Sequence, residues 1–304
     1  MKVVALAGGT GSAKLLRGLN QVVSDLTVLA NVGDNIWMYG VYVCPDIDVA
    51  CYSLAGISDR KKGWGVAGDT FEVLQSLRRS GVETWFTLGD RDLATCLART
   101  EMIRSGRTLT EATEAEARSL GLRPHVLPVT DDPVETRILT KGGNLHLQEF
   151  WVRDGGMPRV TGVRYSGAPR ARVSRLVASS LSGADLVVVC PANPVTSIGP
   201  MLAVPGFSKL LAKSKAHKVA LSPMEGTAPF SGPAGKLLKA TGTRPDSAGV
   251  ARLYGDFLDT LLISKNDAVL ESAIEACGVR CVLTDTRMSS ADAEARLARE
   301  VLEA

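Results

Sequence analysis

The sequence predicts an α/β protein built on a doubly wound, Rossmann-like parallel sheet, with a mixed helical and β-hairpin insertion. Three observations carry that expectation. Short apolar, β-branched runs alternate with helical patterns along most of the chain. Several of these runs, such as Leu186-Val-Val-Val-Cys190, are too apolar for half-exposed strands and suit strands covered on both faces. The chain also opens with a strand, a glycine-rich turn and a helix over residues 1–14, which sets backbone N–H groups and a helix N-terminus against one anion.

Taken in order, the strand candidates are 3–7, 26–30, 85–87, 125–128, 186–190, 218–221, 258–263 and 279–283. Helical patterns cover 13–23, 70–80, 93–104, 110–120, 170–181 and 291–302, the last an amphipathic structural helix. The rhythm breaks over 121–170, where 137–140 and 144–151 flank Lys141-Gly142-Gly143 and predict an antiparallel hairpin. Residues 1–60 and 171–304 are therefore expected to form the Rossmann-like nucleotide-binding core, and 61–170 a mixed α+β insertion or cap.

Composition narrows the function classes. A chain of 304 residues with 45% hydrophobic and 22% charged content is ordinary for an enzyme with a large core. A net charge of +3, from 35 basic against 32 acidic residues, is too small and dispersed to suggest nucleic acid. No apolar run is long enough for a membrane span, and no signal-peptide pattern is apparent. Cys44, Cys51, Cys96, Cys190, Cys277 and Cys281 are scattered and read as buried thiols in a reducing cytoplasm. His125, His146 and His217 have no neighbouring ligand type, which argues against a zinc site.

The candidate chemistry lies in loops after strands. The turn Gly8-Gly9-Thr10-Gly11, with Lys14, suits a phosphate or diphosphate, although its spacing is neither a Walker A loop nor G-x-G-x-x-G. Asn31-Val-Gly-Asp34-Asn35 follows the second strand. Asp46 and Asp48 would hold Mg²⁺ through hard oxygens, take a proton from a hydroxyl, or cap the helix expected at 49–54. Arg91, between Asp90 and Asp92, is either a phosphate clamp or part of a salt-bridged helix start. Asn193 to Pro200 and the Pro/Gly-rich loop 222–236 complete the set, and all these loops are expected to converge on one cleft at the carboxyl ends of the strands.

In combination, these motifs resemble the 2-phospho-L-lactate transferases of coenzyme F-420 biosynthesis, the CofD/FbiA family. The motifs are Gly8-Gly-Thr-Gly11 with Lys14, Asn31-Val-Gly-Asp34, Pro45-Asp-Ile-Asp48, Gly63-Trp64-Gly65, Gly89-Asp-Arg-Asp92, Thr130-Asp-Asp-Pro133, Asn193-Pro-Val-Thr-Ser-Ile-Gly199 and Ser231-Gly-Pro-Ala-Gly-Lys236. The resemblance runs from residue 1 to about 290 and implies a reaction. The ribityl hydroxyl of the deazaflavin Fo attacks the phosphorus beside the acid of a guanosine diphospho-acid. GMP leaves, and the phosphodiester F-420-0 forms. It also implies Mg²⁺ as the metal and a homodimer.

On that resemblance Asp48 and Arg91 are the catalytic candidates. Asp48, Arg91, Trp64 and Asp90 are the Fo contacts, with Trp64 either stacking on the deazaflavin or belonging to the core. Gly8, Gly9, Thr10, Gly11, Lys14, Asn193, Thr196, Ser197, Gly199, Ser231, Gly232 and Lys236 are the phosphate and nucleotide contacts, and Asp46 with Asp48 the metal ligands. Two departures stand out: Asn35 where relatives carry a second carboxylate, and Val49 where they often have Thr. The donor acid, whether lactyl, enolpyruvyl or glyceryl, stays open. The alternatives are a nucleotide-sugar-binding regulator of the YvcK type, which would keep the glycine turn without turnover, and a nicotinamide dehydrogenase with Asp34 on the ribose.

Overall fold

A computed structural model describes residues 1–304. β1 (Lys2–Ala7) is buried from Val3 onward, and α1 (Gly9–Val22) carries the chain across to β2 (Asp25–Ala30), its parallel neighbour. A small hairpin follows, β3 (Ile36–Met38) and β4 (Val41–Val43). It turns at Tyr39 and Gly40 with φ of 52° and 81°, the left-handed pair that a tight hairpin requires. α2 (Pro45–Leu54) begins on a proline, whose missing N–H is no loss at a helix start. Next come α3 (Glu72–Arg79), α4 (Asp90–Arg104) and α5 (Leu109–Ser119), and then β5 (His125–Pro128), which pairs with β2.

β6 (Glu135–Thr140), β7 (Gly143–His146) and β8 (Val160–Ser166) form a separate antiparallel sheet, with a π-helical turn, Glu149–Arg153, between the last two. α6 (Arg175–Ser182) returns the chain to β9 (Leu186–Val189), which is followed by a second π-helical turn, Pro194–Ile198. α7 (Gly199–Leu202) and α8 (Phe207–Lys213) lead to β10 (His217–Leu221). The two-residue strands β11 (Met224–Glu225) and β12 (Ala228–Pro229), then α9 (Ala234–Ala240) and α10 (Ser247–Tyr254), precede β13 (Thr260–Ser264). α11 (Glu271–Glu275), β14 (Arg280–Thr284) and α12 (Ala291–Glu303) finish the chain. α12 packs on α1 so closely that a Cβ on Gly18 would meet the Glu294 carbonyl oxygen.

The central sheet has seven parallel strands in the order β14-β13-β10-β9-β1-β2-β5. Helices cover both faces, so Val187, Val188, Leu261 and Leu262 are fully buried, as the apolar runs predicted. The strand order reverses between β1 and β9. That reversal opens a crevice at the carboxyl ends of the two strands, into which the glycine turn and the 193–198 loop both fall.

Several expectations need correction. Residues 85–87 form no strand. They have no ladder partner and bend at Phe86, pinned because the Tyr39 hydroxyl donates to the Phe86 carbonyl and accepts from its N–H. Phe86 and Leu88 are buried instead in a satellite cluster with Val41, Val43 and Cys96. The stretch 144–151 is strand only to His146, and β8 supplies a third strand. The helix expected at 170–181 splits into a short 3₁₀ turn and α6. β5 belongs to the segment expected as an insertion, yet it is the edge strand of the central sheet.

Candidate active site

A cavity of about 310 Å³ occupies the crevice. The glycine turn forms its floor. α1 starts at Gly9, so Thr10 and Gly11 lie in the first helical turn, where N–H groups have no intrahelical acceptor. Gly8 donates to Ser12 Oγ at 3.0 Å and Gly9 to Asp46 Oδ1 at 2.6 Å, so Thr10 and Gly11 offer the free donors, rather than all four residues. Glycine is required at two of these positions. A Cβ on Gly11 would lie 2.2 Å from the Pro191 carbonyl oxygen, and one on Gly8 2.6 Å from Ser197 Cβ.

Four carboxylates line the cavity: Asp34, Asp46, Asp48 and Asp92. Asp46 and Asp48 are two residues apart on α2, about 200° around a helix of 3.6 residues per turn. They therefore face different partners. Asp46 meets the glycine turn and accepts from Asn31 Nδ2 at 2.7 Å. The same Asn31 amide donates to Asp34 Oδ1 at 3.2 Å and to the Thr196 carbonyl at 3.1 Å, tying β2, α2 and the 193–198 loop together. Burial pushes the Asp46 carboxyl up to about 6, against the pull of Asn31 and Gly9. Burial and the neighbouring Asp46 push Asp34 well above the usual carboxylate range.

Asp48 faces the opposite way. The Arg99 guanidinium of α4 grips both its oxygens and also donates to Glu116 of α5 at 2.7 Å. Arg99 is 1% exposed at its side chain, so one buried cation serves two carboxylates, with Asp92 close by. Burial raises Asp48, and Arg99 opposes that rise. Asp92 accepts from the Tyr52 hydroxyl at 2.9 Å. Burial lifts Asp92 to about 6 while Tyr52 and Arg99 hold it down.

The apolar part of the lining is Trp64, Phe86, Leu88, Leu147, Trp151 and Val152. Trp64 is 36% exposed and Trp151 42%, which removes the core reading for Trp64 and leaves an open aromatic face. The remaining side comes from Asn193, Thr196, Ser197, Ser231 and Gly232. Asn193 Oδ1 caps the π-helical turn by accepting from Val195 and Thr196 N–H.

Five expected site residues lie elsewhere. Asp90 caps α3, accepting from Thr70 Oγ1 and from the N–H groups of Glu72 and Val73. The Arg91 side chain is 59% exposed and donates to the carbonyls of Ala67 and Gly68, beside Asp69. Both residues open α4, and the helical turn that carries Asp92 inward carries them outward. Lys14 stands on the exposed face of α1. Gly199 is a packing position, because a Cβ there would strike the Tyr165 hydroxyl. Lys236 donates to the carbonyls of Gly156 and Met157, which joins the 222–236 loop to the turn after 149–153. Conversely, Arg99, Glu116 and Tyr52 gave no motif signal. They lie in ordinary helical patterns, and only the packing of α2, α4 and α5 brings them to Asp48 and Asp92.

Fold and site together define an α/β protein with a polar, glycine-floored cavity at a topological switch point of the sheet. A family model, that of 2-phospho-L-lactate transferase CofD, matches residues 3–300, and the chain belongs to that family. It is thus a transferase. It is 41% identical over 302 residues to a 2-phospho-L-lactate transferase of Methanosarcina acetivorans, covering 99% of this chain and 98% of that one. It is 40% identical over 311 residues to a phosphoenolpyruvate transferase of Streptomyces griseus, covering 100% and 98%. Among solved structures, protein BH3568 of Bacillus halodurans shares the fold, with a TM-score of 0.67 at 18% identity over 99% of each chain. The dehydrogenase reading falls with the family match over residues 3–300.

Proposed function

We propose that the protein transfers a phospho-acyl group from a guanosine diphospho-acid to the ribityl hydroxyl of the deazaflavin Fo, giving F-420-0 and GMP. The observation that carries this reading is the mixed lining of the cavity. It combines the free N–H groups of Thr10 and Gly11, with Asn193, Thr196, Ser197 and Ser231, and the exposed aromatic side chains of Trp64 and Trp151. The polar groups suit a diphosphate and the aromatic ones a flat ring.

No Lys or Arg side chain lines the cavity, whereas four carboxylates do. A diphosphate would be repelled there unless a divalent cation intervened. The buried Asp34 and Asp46 pair fits that cation, since both carboxyls are costly to ionise alone and offer only hard oxygen. These two would hold Mg²⁺; Asp48, expected as the second ligand, is committed to Arg99. When bound, the ion would supply positive charge to the diphosphate oxygens. The chain's own part is to seat the donor on the first turn of α1, to orient the acceptor ring against Trp64 and to limit water. No single helix is long and apolar enough to cross a membrane, and all six cysteines are free, which suits the cytoplasm.

The test is turnover of Fo with lactyl, enolpyruvyl and glyceryl guanosine diphospho-donors and Mg²⁺, read by mass spectrometry. A phosphodiester-linked deazaflavin and GMP are the expected products, and the donor comparison identifies the acid. Tight nucleotide-sugar binding with no product from any donor would overturn the reading in favour of a regulator. Sedimentation of the same sample tests the proposed homodimer.

A further inference from the structure

We infer that Asp92, rather than Asp48, accepts the proton of the attacking hydroxyl. This rests on the phosphotransfer reading above. Asp48 has no oxygen to spare, because Arg99 donates to both. Asp46 accepts from Gly9 N–H and Asn31 at the glycine turn, and Asp34 lies beside it, so both stand with the donor's phosphates and the proposed cation rather than with the acceptor hydroxyl.

Asp92 differs in position and in freedom. Its backbone N–H is anchored on Asp69 Oδ2 at 3.1 Å, and its Oδ1 accepts from the Tyr52 hydroxyl. Its Oδ2 has no protein donor and faces Gly65, where even a Cβ would stand 3.9 Å away. Gly65 lies next to Trp64, and all three residues line the cavity, so the free oxygen faces the segment that carries the aromatic ring against which the acceptor is proposed to stack. Asp92 is 7% exposed, so competing water is scarce.

The surroundings set its basicity. Tyr52 and Asp48 face it from α2, Cys96 and Arg99 from its own helix, Glu116 from α5 and Asp69 from the preceding loop. Burial raises its carboxyl to about 6, Tyr52 and Arg99 restrain that rise, and Asp69 and Glu116 add to it. A carboxylate so placed is ionised at neutral pH, yet more basic than an exposed one. In the step, a bond forms between the acceptor oxygen and phosphorus as the O–H bond breaks, and the proton passes to Asp92 Oδ2. The bond from that phosphorus to the bridging oxygen breaks, and its electron pair leaves with the nucleoside monophosphate.

The experiment is a set of pH–rate profiles from about pH 5 to 9 on the full chain with saturating donor, acceptor and Mg²⁺. Asp92→Asn is expected to lose about 10²–10⁴ in kcat, to keep both KM values within about threefold, and to lose the acidic limb of the profile. Tyr52→Phe is expected to stay active with its acidic limb moved to higher pH, because Asp92 loses a donor that favours its charged form. An Asp92→Asn enzyme with kcat within about threefold of the parent, or with its acidic limb unmoved, overturns the inference. If that variant fails to fold, Tyr52→Phe decides: a shifted limb supports Asp92 and an unshifted one rejects it. Absence of product from the unaltered protein would instead reject the phosphotransfer reading, and Asp92's role with it.

Discussion

Replacing Arg99 by Met should cost more stability than any other single change in the α2–α4–α5 cluster. The guanidinium is buried, grips Asp48, reaches Glu116 at 2.7 Å and donates to the Tyr42 carbonyl at 3.2 Å. Methionine fills similar volume but supplies no donor and no charge, leaving two buried carboxyls uncompensated. Removing one partner of a buried ion pair costs about 3–5 kcal/mol. For a chain of this size that corresponds to a fall in Tm on the order of 10 °C. The loss should also depend on pH in a definite direction. Burial already holds Asp48 above its ordinary value, and without Arg99 that rise grows. A carboxyl raised in the folded state binds protons that the unfolded chain releases, so stability falls as pH climbs from the unfolded value through the raised one. Urea unfolding at several pH values should therefore find the deficit largest at neutral pH and smallest in acid. Adding Asp48→Asn and Glu116→Gln should recover part of it, since no charge is then left buried. A deficit below about 1 kcal/mol, or one that grows toward acid, would refute the reasoning.

Other predictions concern the lining of the cavity. Gly11→Ala should abolish turnover and lower stability by about 1–3 kcal/mol in thermal unfolding, because its methyl would collide with the Pro191 carbonyl. Asn31→Ala should raise the Mg²⁺ concentration for half-maximal activity about 10–100-fold, since this amide orients both Asp34 and Asp46. Unchanged Mg²⁺ dependence would remove those two carboxylates from the metal site. Trp64→Ala should weaken acceptor binding by about 0.5–1.5 kcal/mol and leave the donor KM unaltered, while Trp64→Phe keeps most of the affinity.

The sequence made the sheet legible because burial on both faces leaves an unmistakable apolar run, as at 186–190 and 260–264. It made the polar lining of the cavity legible for a related reason. Close backbone approach at Gly8 and Gly11 admits only glycine, and the Asn193 cap has its own local pattern. Residues 85–87 misled because β-rich composition does not reveal whether a partner strand is present; Tyr39 takes the hydrogen bonds that a neighbouring strand would have made. The Asp90-Arg91-Asp92 motif misled in the opposite sense. Its charges are adjacent in sequence, but a helix turns them onto different faces, so one caps α3, one lies on the surface and one enters the cavity. Arg99 was silent because a charged residue inside a helical pattern ordinarily points to solvent.

The same geometry shows what Asn35, read in the sequence as a departure from a two-carboxylate pattern, does instead. Asn35 does not share Asp34's outlook. Its Nδ2 donates to the Tyr42 hydroxyl, its main-chain carbonyl lies 3.1 Å from His146 Nε2, and it borders a separate cavity with Trp37 and Arg137. Gln148 N–H reaches His146 Nδ1 at 3.1 Å, which makes Nε2 the donor to that carbonyl. Burial lowers the His146 pKa and so favours this neutral tautomer. His146 thereby holds the 35–36 peptide, while Gln148 Nε2 donates to the Asp34 carbonyl at 3.5 Å and the Asp34 side chain lies toward Asn31 and Asp46. The amide therefore costs the cavity no oxygen ligand. What a carboxylate at 35 would contribute, it would contribute to the β3–β4 hairpin, where an unpaired buried charge is a burden. Motif comparison counts Asn35 as a lost ligand, whereas the direction of its side chain removes it from the ligand set altogether.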